Sequence, residues 1–320
     1  MSSMSSMSSM LAKMSLLMLL VPLAVGAKPV TQMVEGKGVS LFTVLYPKEN
    51  AETIILLHGG PGVPMDFHSI VEVLSKKYQV IVFDQRGTGR SPLTSVDYSM
   101  NAYVQDINSI AEYFGVPRFH VFGHSWGGLY AQIYAEKFPE KILSLFLSSP
   151  RSGTGDHWEQ TETEVLEFNK SKTTTWQWLM MGINSLRGML GSDAAYQSLF
   201  RQVIVNYNKD FDAEMLAGEE ILSGEEMLAD EEMLEQVRAD PVNKTRKHIL
   251  SYPLLSSPVS YHFPVVVQYG EKDIYAQSKQ YLDDRFPEAQ FVVINNAGHL
   301  SWLNNPHDFN ELMQSFYRLN

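Results

Sequence analysis

Ser125 lies at the centre of the pentapeptide Gly123–Gly127 (Gly-His-Ser-Trp-Gly), which directly follows the apolar run Phe119–Phe122. A strand that enters such a glycine-flanked turn and continues as a helix exposes the serine hydroxyl for attack on a carbonyl carbon. Side chains at the two glycines would collide with the neighbouring strand and helix. Apolar residues at helical spacing follow between Leu129 and Phe138, so a helix N-terminus should lie beneath the serine and favour negative charge on a substrate oxygen. This pattern predicts a nucleophilic serine.

A serine hydroxyl needs a histidine to accept its proton and a carboxylate to orient that histidine. Asp273 follows the apolar run Val265–Tyr269, and His299 follows the apolar run Phe291–Ile294. The carboxyl ends of parallel strands meet at one edge of a sheet, so these two side chains and Ser125 should converge there. The order along the chain, serine then acid then histidine, is the one expected for this arrangement.

Other residues offer alternatives to this triad. Asp273 could instead cap a helix that begins near Ile274, and Glu271 and Asp156 are then the alternative acids. His307, between Pro306 and Asp308, has the position of a helix start and is the weaker histidine candidate.

The spacing of His120 and His124 superficially resembles a metal-binding pair. Both fall on the predicted strand and its turn rather than on one face of a helix, so we exclude the metal interpretation.

The glycine-rich loop His58–Gly62 (His-Gly-Gly-Pro-Gly) follows the apolar run Thr53–Leu57. Backbone N–H groups in such a loop are free of side-chain crowding and could stabilise an oxyanion. We expect Gly60, with Gly59 as the alternative, to supply one donor and Trp126 to supply the other. No Gly-Lys-Ser/Thr sequence follows this loop, which excludes a P-loop.

Continuous apolar runs alternate with helical patterns such as 67–77 and 101–114, which predicts the α/β class with a mainly parallel sheet covered by helices on both faces. The predicted strands are 39–46, 53–57, 80–83, 119–122, 143–147, 265–269 and 291–294. Residues 151–262 interrupt this rhythm for far longer than a crossover helix needs. We therefore expect a catalytic domain formed by residues 28–150 and 263–320, with a helical cap domain inserted at 151–262.

Three acidic hexapeptides repeat within the predicted cap, from Ala217 to Leu234. Six residues advance a helix by about 240°, so the apolar pairs of the repeats rotate around the axis instead of forming one face. We expect short helical turns broken near Gly218 and Gly224, with Ser223 as an N-cap. The acidic run is either a solvated face or part of a binding site.

The formal net charge of −11 argues against a nucleic-acid partner, because phosphate binding needs clustered lysines and arginines. The chain has no cysteine, so it has neither disulfides nor a thiolate nucleophile. Lys13 precedes the apolar stretch Met14–Val25, which is too short to span a bilayer, and small residues follow up to Ala27. This pattern predicts a signal peptide over residues 1–27, cleaved after Ala27, and a secreted or periplasmic protein without a stable membrane span.

Three segments taken together resemble the proline iminopeptidase branch of the α/β-hydrolase superfamily. They are His58–Gly62, Asp84–Ser91 (Asp-Gln-Arg-Gly-Thr-Gly-Arg-Ser) and Gly123–Gly128. The resemblance covers about 30–150 and 263–320. It implies an α/β-hydrolase fold and removal of N-terminal proline or another residue from short peptides, with no metal or other cofactor.

In that family, acidic side chains from the cap and nearby loops bind the free α-amino group of the substrate. The corresponding candidates here are the glutamates of the repeats, above all Glu219, Glu220, Glu225 and Glu226. Some members carry a Trp-x-x-Trp-Glu signature in the cap, whereas this chain has Trp176-Gln-Trp178. Others carry a glutamate directly after the triad acid, where this chain has Ile274.

The leading hypothesis is therefore a serine aminopeptidase that acts on short peptides through an acyl-enzyme. A carboxylesterase or lactonase with the same machinery is the alternative within enzymes, because the Trp, Met and Leu content of the cap would suit an acyl chain. A catalytically silent binding protein on the same scaffold is the remaining hypothesis.

Overall fold

The computed structural model describes residues 28–64, 67–211 and 231–319. The predicted signal peptide lies outside these residues, and so do Glu219, Glu220, Glu225, Glu226, Gly218, Gly224 and Ser223 of the acidic repeats. Within the described part of the chain, no helix is both long and apolar enough to cross a bilayer.

A single eight-stranded sheet forms the centre of the molecule, with the strand order β1-β2-β4-β3-β5-β6-β7-β8. The strands are β1 (Val30–Gly36), β2 (Val39–Tyr46), β3 (Thr53–Leu57), β4 (Gln79–Phe83), β5 (Phe119–His124), β6 (Ile142–Ser148), β7 (Val265–Gly270) and β8 (Gln290–Ile294). β2 pairs antiparallel with both β1 and β4, and every pairing from β4 to β8 is parallel. The predicted fold class is confirmed, and the seven predicted strands differ from the observed ones by two residues or fewer at each end.

β1 is the strand that the sequence pattern did not predict. Six of its seven residues are exposed or partly exposed, and Val34 alone is buried. An edge strand of this kind carries little hydrophobic signal, because it contacts the core through few of its side chains.

Helices cover both faces of the sheet. The described helices are α1 (His68–Leu74), α2 (Met100–Tyr113), α3 (Trp126–Lys137), α4 (Asp156–Lys172), α5 (Thr175–Met189), α6 (Asp193–Asn208), α7 (Glu231–Glu235), α8 (Ala239–Ser251), α9 (Gln280–Arg285), α10 (Ser301–Asn304) and α11 (Pro306–Tyr317). Helices α2 and α3 pack in one hydrophobic cluster, and α1 and α11 pack in the cluster on the opposite face. β5 contributes to both, through Val121 on one side and Phe122 on the other, as expected for a central strand buried on both faces.

Helices α4 to α8 fill the connection between β6 and β7, and the described part of this connection contains no strand. α5 begins at a capping box, in which Thr174 and Gln177 bond each other's backbone N–H groups. Helices α4 and α8 are joined by the carboxylate of Glu162, which accepts two hydrogen bonds of 2.6 Å from Arg246. We call α4–α8 the helical insert.

Polar contacts to the loop after β7 and to helix α2 help to fix the helical insert to the rest of the molecule. Glu164 of α4 accepts hydrogen bonds from the backbone N–H groups of Ala276 and Ser278, at 2.9 and 2.8 Å, in the loop after β7. The hydroxyl groups of Tyr103 on α2 and Thr245 on α8 lie 2.8 Å apart in a buried position. The insert is thus anchored directly beside the loop that carries Asp273.

Candidate active site

Ser125 occupies the turn between β5 and α3 with φ of 54° and ψ of −116°. The positive φ is unfavourable for a residue with a Cβ, so the surrounding packing must hold it. A Cβ at Gly123 would lie 2.4 Å from the Gly127 carbonyl oxygen, and a Cβ at Gly127 would lie 2.1 Å from the Leu57 carbonyl oxygen. Both distances are far below van der Waals contact, so the glycines allow β3, β5 and α3 to meet at this turn.

Asp273 and His299 lie on neighbouring loops, after β7 and β8. His299 Nδ1 is 3.1 Å from Asp273 Oδ1, and both side chains are almost fully buried. Asp273 also accepts hydrogen bonds from the Ser149 hydroxyl at 2.5 Å and from the backbone N–H of Tyr275 at 3.3 Å. Burial by itself would raise the pKa of Asp273, but the charge and hydrogen bond of His299 hold it below its ordinary value. Asp273 is therefore ionised and acts as acceptor for the His299 Nδ1 proton.

Close packing of the two loops sets this geometry. A Cβ at Gly270 would lie 2.3 Å from the Gly298 carbonyl oxygen, so only glycine allows the loops to approach. The Gly298 carbonyl accepts a 2.9 Å hydrogen bond from the Ser301 hydroxyl, and the Gly298 N–H donates to Asn304 Oδ1 at 3.0 Å. The start of α10 thus holds the residue that precedes His299.

Tyr275 joins Ser125 to this pair. Its hydroxyl lies 3.3 Å from Ser125 Oγ, and its ring packs edge-on against the His299 ring with 5.3 Å between centroids. Among the described residues, this is the hydrogen bond that Ser125 Oγ makes. Tyr275 was not predicted from the sequence, although its position two residues after the predicted acid was an available signal.

The alternative residues lie elsewhere. Glu271 accepts a 3.0 Å hydrogen bond from the Asn296 N–H and does not contact His299 through its described hydrogen bonds, while Asp156 begins α4. No helix begins at Ile274; the next helical turn is a 3₁₀ segment at Gln277–Lys279. His307 lies exposed in the first turn of α11, as its sequence position indicated, and contacts Asp308.

Both ring nitrogens of His120 contact side chains of the protein. Its Nδ1 lies 2.7 Å from the Ser144 hydroxyl, and its Nε2 lies 3.1 Å from Glu52. Among the described residues, the group whose side chains could meet around a metal ion is His307, Asp308 and Glu311, on the exposed face of α11.

The predicted oxyanion loop reaches the serine. A Cβ at Gly59 would lie 3.2 Å from Ser125 Cβ, so the loop backbone passes directly beside the nucleophile. Gly60 has φ of +52°, and its carbonyl accepts a 3.0 Å hydrogen bond from the Val63 N–H, which closes a tight turn. Trp126 is the first residue of α3, where backbone N–H groups have no acceptor within the helix. Trp126 thus directly follows Ser125, and the loop approaches Ser125 at Gly59, one residue before the predicted donor Gly60.

Gln85 connects the two predicted donor segments. Its side-chain amide donates a 2.8 Å hydrogen bond to the His58 carbonyl and accepts a 2.8 Å hydrogen bond from Trp126 Nε1. Its backbone N–H donates to His58 Nε2 at 3.1 Å. Gln85 belongs to the motif Asp84–Ser91, and its hydrogen bonds fix the glycine-rich loop relative to α3.

His124, directly before the serine, is fully buried. Its Nε2 lies 3.0 Å from the His299 carbonyl oxygen, which can only accept, so Nε2 carries the proton. Burial lowers the pKa of His124 well below its usual value, and the neighbouring His299 lowers it further. A neutral His124 therefore holds the backbone of His299 without adding charge beside it.

The helical insert contacts His299 through Tyr207, and Arg151 lies close to Trp158 of the insert and to Tyr275. Tyr207 of α6 packs edge-on against the His299 ring with centroids 5.1 Å apart. The Arg151 guanidinium lies 3.9 Å from the centroid of Trp158 and 5.9 Å from that of Tyr275, and it donates to the Thr161 hydroxyl at 2.9 Å. Two aromatic rings, Tyr207 and Tyr275, therefore pack against His299, and Arg151 lies beside one of them.

The carboxylates whose charge acts on Tyr275 are Asp273 and Glu164. Asp273 is bonded to His299, and Glu164 is bonded to the backbone after Tyr275 and to the Ser278 hydroxyl. Glu162, whose pKa is lowered by Arg246 and Arg151 against the effect of burial, is also paired. Each of these carboxylates already has its partner within the protein.

Comparison with known proteins agrees with this architecture. The family model described as the alpha/beta hydrolase fold matches residues 52–306. The chain is similar to a proline iminopeptidase of Lactobacillus delbrueckii subsp. bulgaricus, with 35% identity over 122 residues, which are 36% of this chain and 41% of that enzyme. The match thus spans about two fifths of the relative, and it confirms the resemblance inferred from the three motifs.

Solved structures of esterases share the fold. The esterase EaEST from Exiguobacterium antarcticum superposes with a TM-score of 0.66 and 14% identity over 90% of this chain and all of that one. The carboxylesterase CesB from Bacillus subtilis superposes with a TM-score of 0.58 and 16% identity over 91% of this chain and 92% of that one. At these identities the likeness concerns the fold alone.

Proposed function

We propose that this chain, which belongs to the family of proteins with the alpha/beta hydrolase fold, is a serine hydrolase whose nucleophile is Ser125. The observation that carries the proposal is the strained serine at the β5–α3 turn beside the buried His299–Asp273 pair, with Tyr275 in contact with both Ser125 and His299. A serine held in a strained turn, with an oriented histidine that reaches it through the shared neighbour Tyr275, is an arrangement suited to acyl transfer.

In the proposed mechanism, Ser125 Oγ bonds to the substrate carbonyl carbon while its proton passes to His299 Nε2. The electron pair of the carbonyl moves to its oxygen, where the N–H groups of Gly60 and Trp126 stabilise it. When that pair returns, the bond to the leaving group breaks, and His299 gives the leaving group its proton. Water then repeats the sequence on the acyl-enzyme and releases Ser125, while Asp273 orients His299 throughout.

We propose an aminopeptidase that releases N-terminal proline or another residue from short peptides, which the similarity to proline iminopeptidases supports. A substrate ammonium enclosed in the site must be paired with a carboxylate. Because Asp273, Glu162 and Glu164 are already engaged, we assign the ammonium to the acidic repeats, with Glu219, Glu220, Glu225 and Glu226 as candidates. We also propose that the helical insert serves as the cap over this site, and that residues 1–27 are an export signal cleaved after Ala27.

A carboxylesterase or lactonase is the second candidate. It is favoured by the aromatic surroundings of His299, namely Tyr207 and Tyr275, and by the engagement of the nearby described carboxylates. Such a site would accommodate an apolar acyl group without needing an ammonium partner.

Hydrolysis of proline and alanine p-nitroanilides, their N-acetylated forms and p-nitrophenyl butyrate separates the candidates, with Ser125→Ala as control. The aminopeptidase predicts turnover of the free-amine anilides that both N-acetylation and Ser125→Ala abolish. A variant with Gln at positions 219, 220, 225 and 226 should raise KM for the anilides and leave butyrate hydrolysis unchanged. Turnover of the ester alone would instead assign an esterase or lactonase.

A further inference from the structure

The Tyr275 hydroxyl is a polar group at the nucleophile that the mechanism above does not use. It lies 3.3 Å from Ser125 Oγ, and the Tyr275 side chain is 2% exposed. Its ring is held on two sides, edge-on by His299 and by Arg151 at 5.9 Å. Its backbone N–H bonds Asp273 at 3.3 Å. The position of this hydroxyl is therefore set by the same loop that positions the proposed triad acid.

We propose that Tyr275 is a further catalytic residue, whose O–H donates a hydrogen bond to Ser125 Oγ whenever that oxygen gains negative charge. This inference rests on the proposed role of Ser125 as nucleophile. A serine hydroxyl has one proton and two acceptor lone pairs. Ser125 Oγ is therefore able to accept from Tyr275 while its own proton passes to His299.

The hydrogen bond acts at two points of the reaction. During acylation, Oγ loses its proton to His299 while it forms the bond to the carbonyl carbon. During deacylation, the bond from Oγ to that carbon breaks, and Oγ takes a proton back from His299. Oγ is most negative near both transition states, so a fixed donor stabilises them more than the resting enzyme.

Tyr275 itself keeps its proton throughout. Burial raises the pKa of Tyr275 above its ordinary value, although Arg151 and the hydrogen bond to Ser125 oppose this shift. The phenol is therefore neutral, and the adjacent positive charge of Arg151 makes it a stronger donor. His299 remains the group that accepts and returns the proton.

The test is Tyr275→Phe, which removes the hydroxyl and keeps the ring. Its kcat on the best substrate should fall at least about tenfold with KM changed little, since single donors at reacting oxygens typically contribute factors of this order or more. The rate of Ser125 labelling by a fluorophosphonate should fall in parallel, because labelling also requires attack by Oγ. Tyr269→Phe is the matched control: this tyrosine is also buried, but its hydroxyl contacts the Pro150 carbonyl at 3.2 Å.

Each outcome is decisive. If Tyr275→Phe keeps kcat and the labelling rate within twofold of wild type while Ser125→Ala is inactive, Tyr275 has no catalytic role and Ser125 retains its own. If Ser125→Ala remains active, the proposed function itself fails. Incorporation of 3-fluorotyrosine at position 275 retains a hydroxyl and should keep kcat near wild type, so a loss of kcat there equal to that of Tyr275→Phe would also contradict the proposal.

Discussion

At the residue scale, two buried titratable side chains of the candidate site differ in their charge state. Asp273 is buried and ionised beside His299, whereas His124 is buried and neutral beside the same ring. Burial dominates for His124, whereas for Asp273 the charge and hydrogen bond of His299 outweigh burial, and the carboxylate accepts from four donors in all. The buried negative charge of Asp273 suits its neighbour His299, because the imidazole of His299 must become positive when it accepts a proton during the reaction.

Replacing Asp273 with Asn tests that role. The amide can present an N–H to His299 Nδ1, which stabilises the tautomer unable to accept the proton of Ser125 at Nε2. We expect kcat to fall by about a thousandfold or more, the size of effect known for this change in catalytic triads. The thermal melting temperature should be measured beside kcat, so that loss of fold is distinguished from loss of chemistry.

Glu271→Gln is the matched control for this prediction, since Glu271 lies on the same loop and its amide oxygen would still accept from Asn296. Its kcat should remain within about twofold of wild type. Equal losses for both variants would show that the loop, and not the Asp273 carboxylate, is what activity requires.

The positions of Ser125, Asp273 and His299 at the ends of strands could be predicted because each residue follows an apolar run. Such runs are visible in a single sequence without knowledge of the fold. Tyr275 and Gln85 could not be assigned in this way. Their roles depend on contacts across the fold, to Ser125 in one case and to His58 and Trp126 in the other. Neither residue has a distinctive spacing relative to its partners along the chain.

At the element scale, the turn between β5 and α3 is the most constrained junction. α3 begins one residue after the nucleophile and is buried along nearly its whole length. Such a helix has almost no amphipathic pattern, so the apolar spacing between Leu129 and Phe138 predicted a helix, and the glycines around Ser125 indicated its place directly after the nucleophile. The predicted clash at these glycines is borne out by the distances at Gly123 and Gly127.

Gly127→Ala should therefore destabilise the protein strongly. The new Cβ would lie 2.1 Å from the Leu57 carbonyl oxygen, a backbone atom that cannot rotate away. We expect a loss of about 3 kcal/mol or more in the free energy of unfolding, at or above the upper end of overpacking effects. Urea denaturation followed by circular dichroism provides the measurement.

Gly182→Ala in α5 is the opposite case. In the part of the chain that the structure describes, no atom outside its own helix lies within 4 Å of a Cβ there, and the position is exposed. Alanine should stabilise the helix by about 1 kcal/mol through its higher propensity. A neutral or stabilising effect of Gly127→Ala, measured in the same way, would mean that β3 and α3 are not packed as described.

At the scale of the whole molecule, the sheet carries polar groups in its interior that couple stability to pH. His58, His120 and His124 are all buried, and burial lowers the pKa of each. His120 lies on β5 between Ser144 and Glu52 and packs against Tyr78 and Tyr317, which are far apart in the sequence. The protonation of His120 is therefore linked to the free energy of unfolding of the whole protein.

His120→Gln tests this linkage. Below its ordinary pKa of about 6.5, the unfolded His120 binds a proton that the folded one does not. The free energy of unfolding of the wild type therefore decreases as the pH falls from about 7 to 5, by up to about 1.4 kcal/mol per pH unit for this one group. Urea titrations should show a shallower pH dependence for His120→Gln than for the wild type.

His307→Gln provides a control of opposite sign. Asp308 raises the pKa of this exposed histidine, so its stabilising effect is present at low pH and is lost as the pH rises through the folded value. Its removal should not make the pH dependence shallower. A pH slope of His120→Gln equal to that of the wild type would show that His120 titrates alike in the folded and unfolded protein.

The central sheet was predictable from the sequence because buried parallel strands are continuous apolar runs. The edge strand β1 was not, since Val34 is its one buried residue. The order of the strands and the paired state of Glu162 and Glu164 also required the structure, because both depend on segments far apart in the chain.

The most direct test of the central claim is covalent labelling with a fluorophosphonate, followed by intact mass measurement and peptide mapping. We predict one adduct per chain, located on Ser125, and no adduct on Ser125→Ala under the same conditions. An unlabelled wild-type protein that is folded, or an adduct on a residue other than Ser125, would contradict the assignment of Ser125 as the nucleophile.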